Sequence, residues 1–302
     1  MKGADMDYVI KTESLTKKFG NKIAVNSVNL NILRGEIYGF IGKNGAGKTT
    51  TMKMLLGTSM PTSGKIELFG SGELNKQRAK IGSLIEAPGL YKSCTAYENM
   101  KRFSILFGVK EEKIKELLEF VGLGNVGNKK VKAFSLGMKQ RLGIAVALLG
   151  EPELLVLDEP INGLDPAGIK EIRDLILQLN KEKQITVLVS SHLLDELSKV
   201  VTKYGIINQG YLVEEITAEE LNHRCRKYLS IGVDDAQKAV TVIQKFLPNV
   251  TVEAEEGLVK VFSELEDRAA LLSKLVKSGL NVSDYFYKQD GFEDYFIKRL
   301  GV

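Results

Sequence analysis

The sequence lacks an apolar run long enough to cross a lipid bilayer. Its longer apolar stretches, such as residues 144–149, fall well short of the ~20 residues that a spanning helix needs. No secretory signal is expected, because Met1 leads straight into mixed polar sequence. Cys94 and Cys225 are the only cysteines and lie far apart, which excludes a disulfide framework or a cysteine metal cluster and predicts reduced thiols. The expected compartment is therefore the cytoplasm.

The chain also lacks a large excess of charge of one sign. Its formal net charge is +4 over 302 residues, which is too weak to argue for a nucleic-acid partner, so none is expected. Charged residues make up 26% and hydrophobic residues 44%. This balance is typical of a globular protein with room for one large domain or two smaller ones.

Strand and helix patterns alternate over most of the chain. Strand-like segments are residues 8–15, 22–25, 28–32, 37–41, 65–69, 154–157 and 185–189, and helical segments are residues 50–56, 97–107, 111–121, 138–149 and 167–179. The two late apolar strand patterns, separated by a helix, are typical of buried parallel strands. An α/β fold with helices on both faces of a sheet is therefore predicted.

Near residue 220 the pattern changes to a second, smaller alternation. The predicted elements are residues 227–233, 235–246, 250–254, 258–262, 266–278 and 282–287, followed by a last amphipathic helix at 292–300. Their order, β-α-β-β-α-β, is the ferredoxin-like α+β pattern. We therefore expect two domains, residues 1–220 and 221–302, with the boundary between about 218 and 226.

A glycine-rich loop separates the strand pattern at 37–41 from the helix pattern that follows it. Strand, glycine-rich turn and helix N-terminus form the context of a phosphate-binding loop. Backbone N–H groups and the positive end of the helix dipole bind phosphates, Lys48 reaches the β- and γ-phosphates, and Thr49 offers a hydroxyl to Mg²⁺. A nucleoside triphosphate is therefore expected to bind here. The residues expected to hold it are Gly42, Lys43, Asn44, Gly45, Ala46, Gly47, Lys48, Thr49 and Thr50.

Further polar residues follow the later strand patterns. Asp158 is placed to hold Mg²⁺, and Glu159 to polarise an attacking water, as in oxygen-rich Mg²⁺ sites shared with phosphates. Asp165, in the next turn, is either the N-cap of the following helix or a nucleotide contact. His192 stands at the end of a strand pattern, where α/β sheets bind ligands, and is expected to contact the γ-phosphate.

Residues 134–141, Phe-Ser-Leu-Gly-Met-Lys-Gln-Arg, stand ahead of the acidic strand. With this segment, residues 7–215 resemble the ATP-binding-cassette (ABC) family, whose signature motif stands at this place. The phosphate loop, the signature, the strand that ends in Asp158 and Glu159, the turn at Asp165 and His192 occur in the family order. The family signature has Ser-Gly-Gly-Gln where this chain has Ser-Leu-Gly-Met. The resemblance implies that two cassettes sandwich ATP. Ser135 and Gly137 of one copy would then cap the γ-phosphate held by the other.

The resemblance also implies roles for two residues outside these motifs. Phe19 matches the position where the family places an aromatic ring against the adenine. Glu86 stands where the family normally has a Gln that touches Mg²⁺ or the lytic water. A carboxylate is a competent oxygen ligand for Mg²⁺, and a solvated surface glutamate is the alternative. Glu86 and Ser-Leu-Gly-Met together resemble the branch of bacitracin-type and lantibiotic-immunity exporters.

The resemblance implies that the chain is a transport ATPase. The fold would be a P-loop cassette with a mixed sheet core, an antiparallel β subdomain and a helical subdomain at residues 91–149, followed by the ferredoxin-like domain. ATP would be hydrolysed to ADP and phosphate by a homodimer beneath separate membrane subunits, at the cytoplasmic face of the membrane. The implied catalytic residues are Lys48, Glu86, Glu159 and His192, and the implied Mg²⁺ ligands are Thr49, Glu86 and Asp158.

Two other classes of cassette ATPase remain as alternatives. An import ATPase is disfavoured by the departures at Glu86 and at the signature. A soluble ATPase of translation or DNA repair usually carries two cassettes in one chain, or coiled-coil or zinc insertions. This chain has one set of motifs and neither insertion.

Overall fold

The computed structural model describes residues 7–263, 267–288 and 291–300. Its contacts divide the chain into two units. The first extends to Ala218 and takes in the residues from Phe296 on, and the second is Glu219–Tyr295. The last residues thus group with the first unit, although the sequence pattern places them with the C-terminal segment. Within the described ranges, no helix combines the length and apolarity that crossing a membrane requires.

A six-stranded mixed sheet forms the centre of the first unit. Its strands are β4 (Ile37–Ile41), β6 (Ile81–Leu84), β7 (Leu154–Asp158), β8 (Thr186–Ser191), β9 (Lys203–Asn208) and β10 (Tyr211–Thr217), in the order β10-β9-β4-β8-β7-β6. All neighbours are parallel except β9 and β10. Every residue of β4, β7 and β8 is buried, which confirms the prediction of buried parallel strands.

An antiparallel sheet comes earlier in the chain. It consists of β1 (Tyr8–Phe19), β2 (Lys22–Val28), β3 (Asn31–Leu33) and β5 (Ser63–Leu68), with β1 paired to the other three. The predicted strand at 28–32 is wrong, because β2 ends at Val28 and β3 begins only at Asn31. The Thr12 hydroxyl occupies the break, donating to Val28 O and accepting from Leu30 N.

Helices supply the remaining layers of the first unit. They are α1 (Lys48–Leu56), α2 (Leu74–Arg78), α3 (Ala96–Phe107), α4 (Glu111–Phe120), α5 (Leu136–Ala147), α6 (Pro166–Lys183) and α7 (Leu194–Leu197). A capping box fixes the start of α3: Thr95 Oγ1 accepts from Glu98 N, and Glu98 Oε2 accepts from Thr95 N. Helix α5 begins two residues before the predicted start at Met138, because Ser135 caps it.

The second unit is a four-stranded antiparallel sheet with helices. Its elements are α8 (Ala218–Arg224), β11 (Tyr228–Val233), α9 (Ala236–Phe246), β12 (Thr251–Glu255), β13 (Leu258–Phe262), α10 (Arg268–Lys277), β14 (Val282–Lys288) and α11 (Phe292–Leu300). Helices α8 and α11 each extend partly into the first unit. The strand order is β12-β13-β11-β14, and its core joins apolar residues of the strands with those of α9 and α10. The predicted start of the second helix, Glu266, lies outside the described residues.

The residues of α11 that belong to the first unit, from Phe296 to Leu300, pack against the central sheet of that unit. Phe296 is 1% exposed and meets Tyr204 of β9 edge to face, with ring centroids 5.7 Å apart. Arg299 Nε lies 2.9 Å from Glu214 Oε2 on β10. Burial of an aromatic ring contributes several kcal/mol, so this contact stabilises the β9–β10 edge.

Replacement of Phe296 by alanine is expected to lower the local stability of β9 by about 3 kcal/mol, because it leaves a cavity against Tyr204. Hydrogen exchange of the β9 amides, followed by mass spectrometry, measures this change. Ile297→Ala is the matched control, since Ile297 is 40% exposed. Equal and small effects of both variants would show that the ring does not support β9.

Candidate functional site

Three loops that were predicted to carry functional residues meet at one edge of the central sheet. Strands β4, β8 and β7 are neighbours and run parallel, in register. Their carboxyl ends therefore lie at the same edge, where open α/β sheets bind ligands. The loop at 42–49 follows β4, Glu159 follows β7, and His192 follows β8. The sheet thus brings together side chains that are far apart in the sequence.

Two glycines of the loop between β4 and α1 are required by close contacts. A Cβ atom on Gly42 would lie 2.4 Å from Ile207 O, and one on Gly47 would lie 2.7 Å from Ala24 O. Gly47 also has a φ of 113°, which side chains disfavour. It precedes α1, whose N-terminus has no side-chain cap. The N–H groups of that first turn and the helix dipole make the loop suited to an anion such as a phosphate.

Lys48 joins this loop to the acid after β7. The side chain is buried, with 5% exposed. Its Nζ donates to Gly42 O at 2.5 Å and to Lys43 O at 3.2 Å, and it lies 3.3 Å from Glu159 Oε1. The ammonium group therefore stands between the loop backbone and Glu159, at the position where it can also reach a bound phosphate.

Asp158 ties two elements to the end of β7. Its Oδ2 accepts from Thr49 Oγ1 at 2.7 Å, and its Oδ1 accepts from Ser190 Oγ at 2.6 Å. The carboxylate and the Thr49 hydroxyl form an all-oxygen donor pair, which fits Mg²⁺. Among the described residues, no group of three or more His, Cys, Asp or Glu could hold a metal by itself.

Glu159 is held in a defined orientation beside Asp158. Its backbone N–H donates to Ser190 Oγ at 3.0 Å, and its φ of 51° is unusual for a residue other than glycine. His192 Nδ1 lies 2.8 Å from Glu159 Oε2. The other carboxylate oxygen, Oε1, is buried and accepts no hydrogen bond within the described part of the chain. His192 therefore holds Oε2, and Oε1 lies beside the Lys48 ammonium.

Glu86 does not share these contacts. It follows β6 with a φ of 61°, and its side chain is 66% exposed. Its Oε1 accepts from Lys53 Nζ on α1 at 2.6 Å. The structure thus pairs Glu86 with a lysine and does not bring it together with Thr49 and Asp158. Its role as a Mg²⁺ ligand stays a prediction.

A cavity of about 310 Å³ opens beside the loop. Phe19 forms part of its wall and is 55% exposed, with Lys17 Nζ 4.9 Å from the centre of its ring. An exposed aromatic ring at a phosphate-binding loop is a suitable platform for a base. The lining residues are Phe19, Lys22, Ala24, Lys43, Asn44, Gly45, Gly47, Lys48, Thr49, Thr50 and Glu159.

Ser135, Gly137 and Asp165 lie at a different place from this cavity, whose lining includes none of them. Ser135 Oγ accepts from Met138 N and caps α5, and Asp165 Oδ1 accepts from Gly168 N and caps α6. A Cβ on Gly137 would lie 3.8 Å from Gly168 Cα, so the two helix starts are in contact. Together they form a second cluster on the same unit.

Two residues that contact the predicted site residues do not stand out in the sequence: Ser190, beside Asp158 and Glu159, and Lys53, beside Glu86. Ser190 donates to Asp158, the last residue of β7, and accepts from the backbone N–H of Glu159. Side chains alternate along a strand, but only the pairing of β7 with β8 shows that Ser190 faces Asp158. Lys53 was not singled out. Its position, four residues after Thr49 on α1, was the available signal.

Comparison with known proteins identifies close relatives. The model of the ABC transporter family matches residues 25–162. The bacitracin transport ATP-binding protein BcrA of Bacillus licheniformis is 46% identical over 301 residues, which is 98% of this chain and 98% of that protein. The lantibiotic transport ATP-binding protein SrtF of Streptococcus pyogenes is 47% identical over 207 residues, covering 68% of this chain and 90% of its own.

Solved structures of ATP-binding cassettes also match. The cbiO1 protein of Clostridium perfringens, part of the ABC transporter complex cbiONQ, is 27% identical with a TM-score of 0.66, over 80% of this chain and 96% of that one. A dimeric cassette in a post-hydrolysis state, bound to ADP and phosphate, is 28% identical with a TM-score of 0.63, over 69% of this chain and 98% of that one.

Replacement of Ser190 by alanine is expected to lower the free energy of unfolding by about 1–3 kcal/mol, because the buried Asp158 loses a hydroxyl donor. Urea unfolding followed by circular dichroism measures the change. Ser191→Ala is the control, since the Ser191 hydroxyl accepts a bond from Leu193 N in its own turn. A loss as large for Ser191 as for Ser190 would contradict the special role of the Asp158 contact.

Proposed function

Because the chain belongs to the ABC transporter family as an ATP-binding subunit, we propose that it hydrolyses ATP to drive export of a bacitracin- or lantibiotic-type peptide through separate membrane subunits. The observation that carries the ATPase activity is the meeting of Lys48, Asp158, Glu159 and His192 beside the phosphate loop. The relatives named for bacitracin and lantibiotic transport support the substrate class.

Phosphate binding rests on the loop and on Lys48. The N–H groups of the loop and of the first turn of α1 bind phosphate oxygens, and Phe19 stacks on the base. The Lys48 ammonium stabilises the charge that develops on the transferred phosphoryl group. Such reactions depend mainly on positioning and electrostatic stabilisation, which a buried lysine on a rigid helix supplies.

Glu159 is the general base in this proposal. Its Oε1, which lies 3.3 Å from Lys48 Nζ, is the oxygen that His192 does not hold, and in this proposal it takes the proton of the attacking water. His192 Nδ1 holds Oε2, which fixes the direction of Oε1. The second ring nitrogen of His192 then remains for the γ-phosphate. The two residues thus orient the water and the phosphate relative to each other.

Mg²⁺ fits the oxygen pair of Thr49 and Asp158, with Glu86 as a further predicted ligand. The chemistry that the bound ion would supply is Lewis-acid shielding of phosphate charge. Ser190 keeps Asp158 in place through the bond to Oδ1. This support explains why Asp158 can remain directed at Thr49 in a buried position.

We further propose that the active form is a homodimer closed over two ATP molecules. Ser135, Gly137 and Asp165 lie outside the cavity of their own chain. The N-terminus of α5 carries a positive dipole end suited to an anion. In a face-to-face dimer, this end would cap the γ-phosphate bound by the other copy. Leu136, which replaces a signature glycine and is 44% exposed, would lie in that interface.

The surface for the membrane subunits is proposed to lie in the helical region at residues 91–149. At the end of α3, Ile105 and Leu106 are each 78% exposed and Phe107 is 50% exposed. Three consecutive exposed apolar residues are typical of an interaction site. Docking there would place the subunit at the cytoplasmic face of the membrane.

The second unit is proposed to have the ferredoxin-like fold and to serve as a contact module. Its β-α-β-β-α-β order and its strand order β12-β13-β11-β14 support this assignment. A contact with the second copy or with a membrane subunit is the simpler role, and binding of a regulatory ligand is the alternative.

Replacement of Glu159 by glutamine is expected to lower ATP turnover at least about 100-fold while ATP binding and the ATP-bound dimer persist, because the amide cannot accept the proton. Turnover is measured by phosphate release, and dimer formation by light scattering with ATP and Mg²⁺. Glu182→Gln, on an exposed turn of α6, is the control.

In cells that contain the membrane subunits, the same Glu159 variant should abolish protection against bacitracin or a lantibiotic. Wild-type turnover in the variant would remove Glu159 from the mechanism. Active wild-type protein that protects against neither class of peptide would overturn the proposed substrate.

Substitution of Ile105 and Leu106 by serine is expected to abolish co-sedimentation with membranes that contain the partner subunits, because the exposed apolar surface is lost. ATP binding should be unchanged. Met60→Ser, at a 72% exposed apolar residue outside the helical region, is the control. Normal membrane association of the double variant would place the docking surface elsewhere.

A further inference from the structure

Lys22 is a cation in the wall of the cavity that the proposed mechanism does not use. The β1–β2 hairpin turns through Gly20 and Asn21, so that Phe19 and Lys22 stand directly opposite each other. Directly opposed residues of an antiparallel pair project from the same face of the sheet, with Cβ atoms about 5 Å apart. Both residues line the cavity beside the phosphate loop. The hairpin therefore places a lysine side chain next to the ring that is proposed to stack on the base.

Of the lysines near the tip of this hairpin, Lys22 is the one that lines the cavity. Lys17 Nζ donates to Met60 O at 2.6 Å and lies 4.9 Å from the centre of the Phe19 ring. This lysine is thus engaged with the ring and with the segment after α1. Lys18 precedes Phe19 in β1, so its side chain projects from the opposite face of the hairpin.

The charges of the cavity wall are not balanced within the described part of the chain. The lining contains Lys22, Lys43 and Lys48 but a single acid, Glu159. Lys48 Nζ lies 3.3 Å from Glu159 Oε1. The side chains of Lys22 and Lys43 form no hydrogen bond or ion pair with any described residue. Two such ammonium groups on one cavity favour an anion that carries more than one negative charge.

We propose that Lys22 is a further nucleotide-binding residue, whose ammonium binds the α-phosphate. The inference rests on the proposed binding of ATP, with the base on Phe19 and the terminal phosphates at Lys48. The α-phosphate is the phosphate nearest the ribose, so it lies at the end of the phosphate chain that is closest to the ring. A lysine suits this contact, because its ammonium is a point charge on a long flexible stem.

The position of this contact determines which nucleotides depend on it. ATP and ADP share the base, the ribose and the α-phosphate, whereas the γ-phosphate belongs to ATP alone. Lys22 should therefore contribute equally to the affinity for both and hold the product as firmly as the substrate. A lysine that acted on the γ-phosphate would raise the affinity for ATP alone. The ratio of the two affinities separates these roles.

Isothermal titration calorimetry with ADP and with a non-hydrolysable ATP analogue, both in the presence of Mg²⁺, tests the proposal. Lys22→Gln should weaken the binding of each nucleotide about three- to tenfold and by the same factor, because one contact with a charged phosphate is lost. Lys22→Arg should keep the affinity, because it keeps the positive charge. Added salt should reduce the difference between the wild type and Lys22→Gln, since ions screen exposed charges.

Lys18→Gln is the matched control, because it removes the same charge from the same hairpin at a residue outside the cavity lining. It should leave both dissociation constants unchanged. Unchanged affinities in Lys22→Gln, a loss confined to the ATP analogue, or an equal loss in Lys18→Gln would each overturn the inference. Failure of the wild-type protein to bind either nucleotide would instead refute the proposed function.

Discussion

The carboxylate of Asp158 is the contact on which the site depends. By accepting from Thr49 and from Ser190, it joins the start of α1 to the ends of β7 and β8. The carboxylate is buried, and a buried charge is tolerated only when its oxygens have donors. Those donors are short hydroxyl side chains that cannot reach far, so the three elements must meet closely. The position of the phosphate loop at this edge of the sheet therefore depends on the hydrogen bonds that the Asp158 carboxylate accepts.

The same close packing gives the carboxylates of Asp158 and Glu159 different partners. Both carboxylate oxygens of Asp158 accept hydrogen bonds from hydroxyl groups, which fixes the orientation of this side chain. Glu159 has one oxygen on His192 and another that faces only the Lys48 ammonium. Ser190 serves both, because its hydroxyl donates to Asp158 and accepts from Glu159 N. A single buried serine thus contacts both acids and holds the Asp158 side chain and the Glu159 backbone in place.

The candidate residues of the first unit lie in two separate places. The cavity beside the loop is lined by Lys48, Thr49 and Glu159, which we propose bind phosphate and activate water. The starts of α5 and α6, with Ser135, Gly137 and Asp165, form a separate cluster on the same unit. Each chain therefore carries the cavity residues in one place and the two helix starts in another. In the proposed homodimer, the helix starts of one copy would meet the nucleotide bound by the other copy.

The sequence by itself determined the phosphate loop, the order of strands and helices, and the family. Glycine spacing, Lys48, Thr49 and the apolar strands are local patterns whose physical meaning does not depend on distant residues. The exact limits of the strands were less predictable. The apolar–polar alternation continues through residues 28–32, but the Thr12 hydroxyl binds Val28 O and Leu30 N, and the strand is interrupted there. Only the tertiary structure decided that Ser190 faces Asp158, that Lys53 pairs with Glu86 and that Phe296 returns to β9. These contacts join residues far apart in the chain, and strand pairing and helix packing, which bring them together, are not encoded in any short segment.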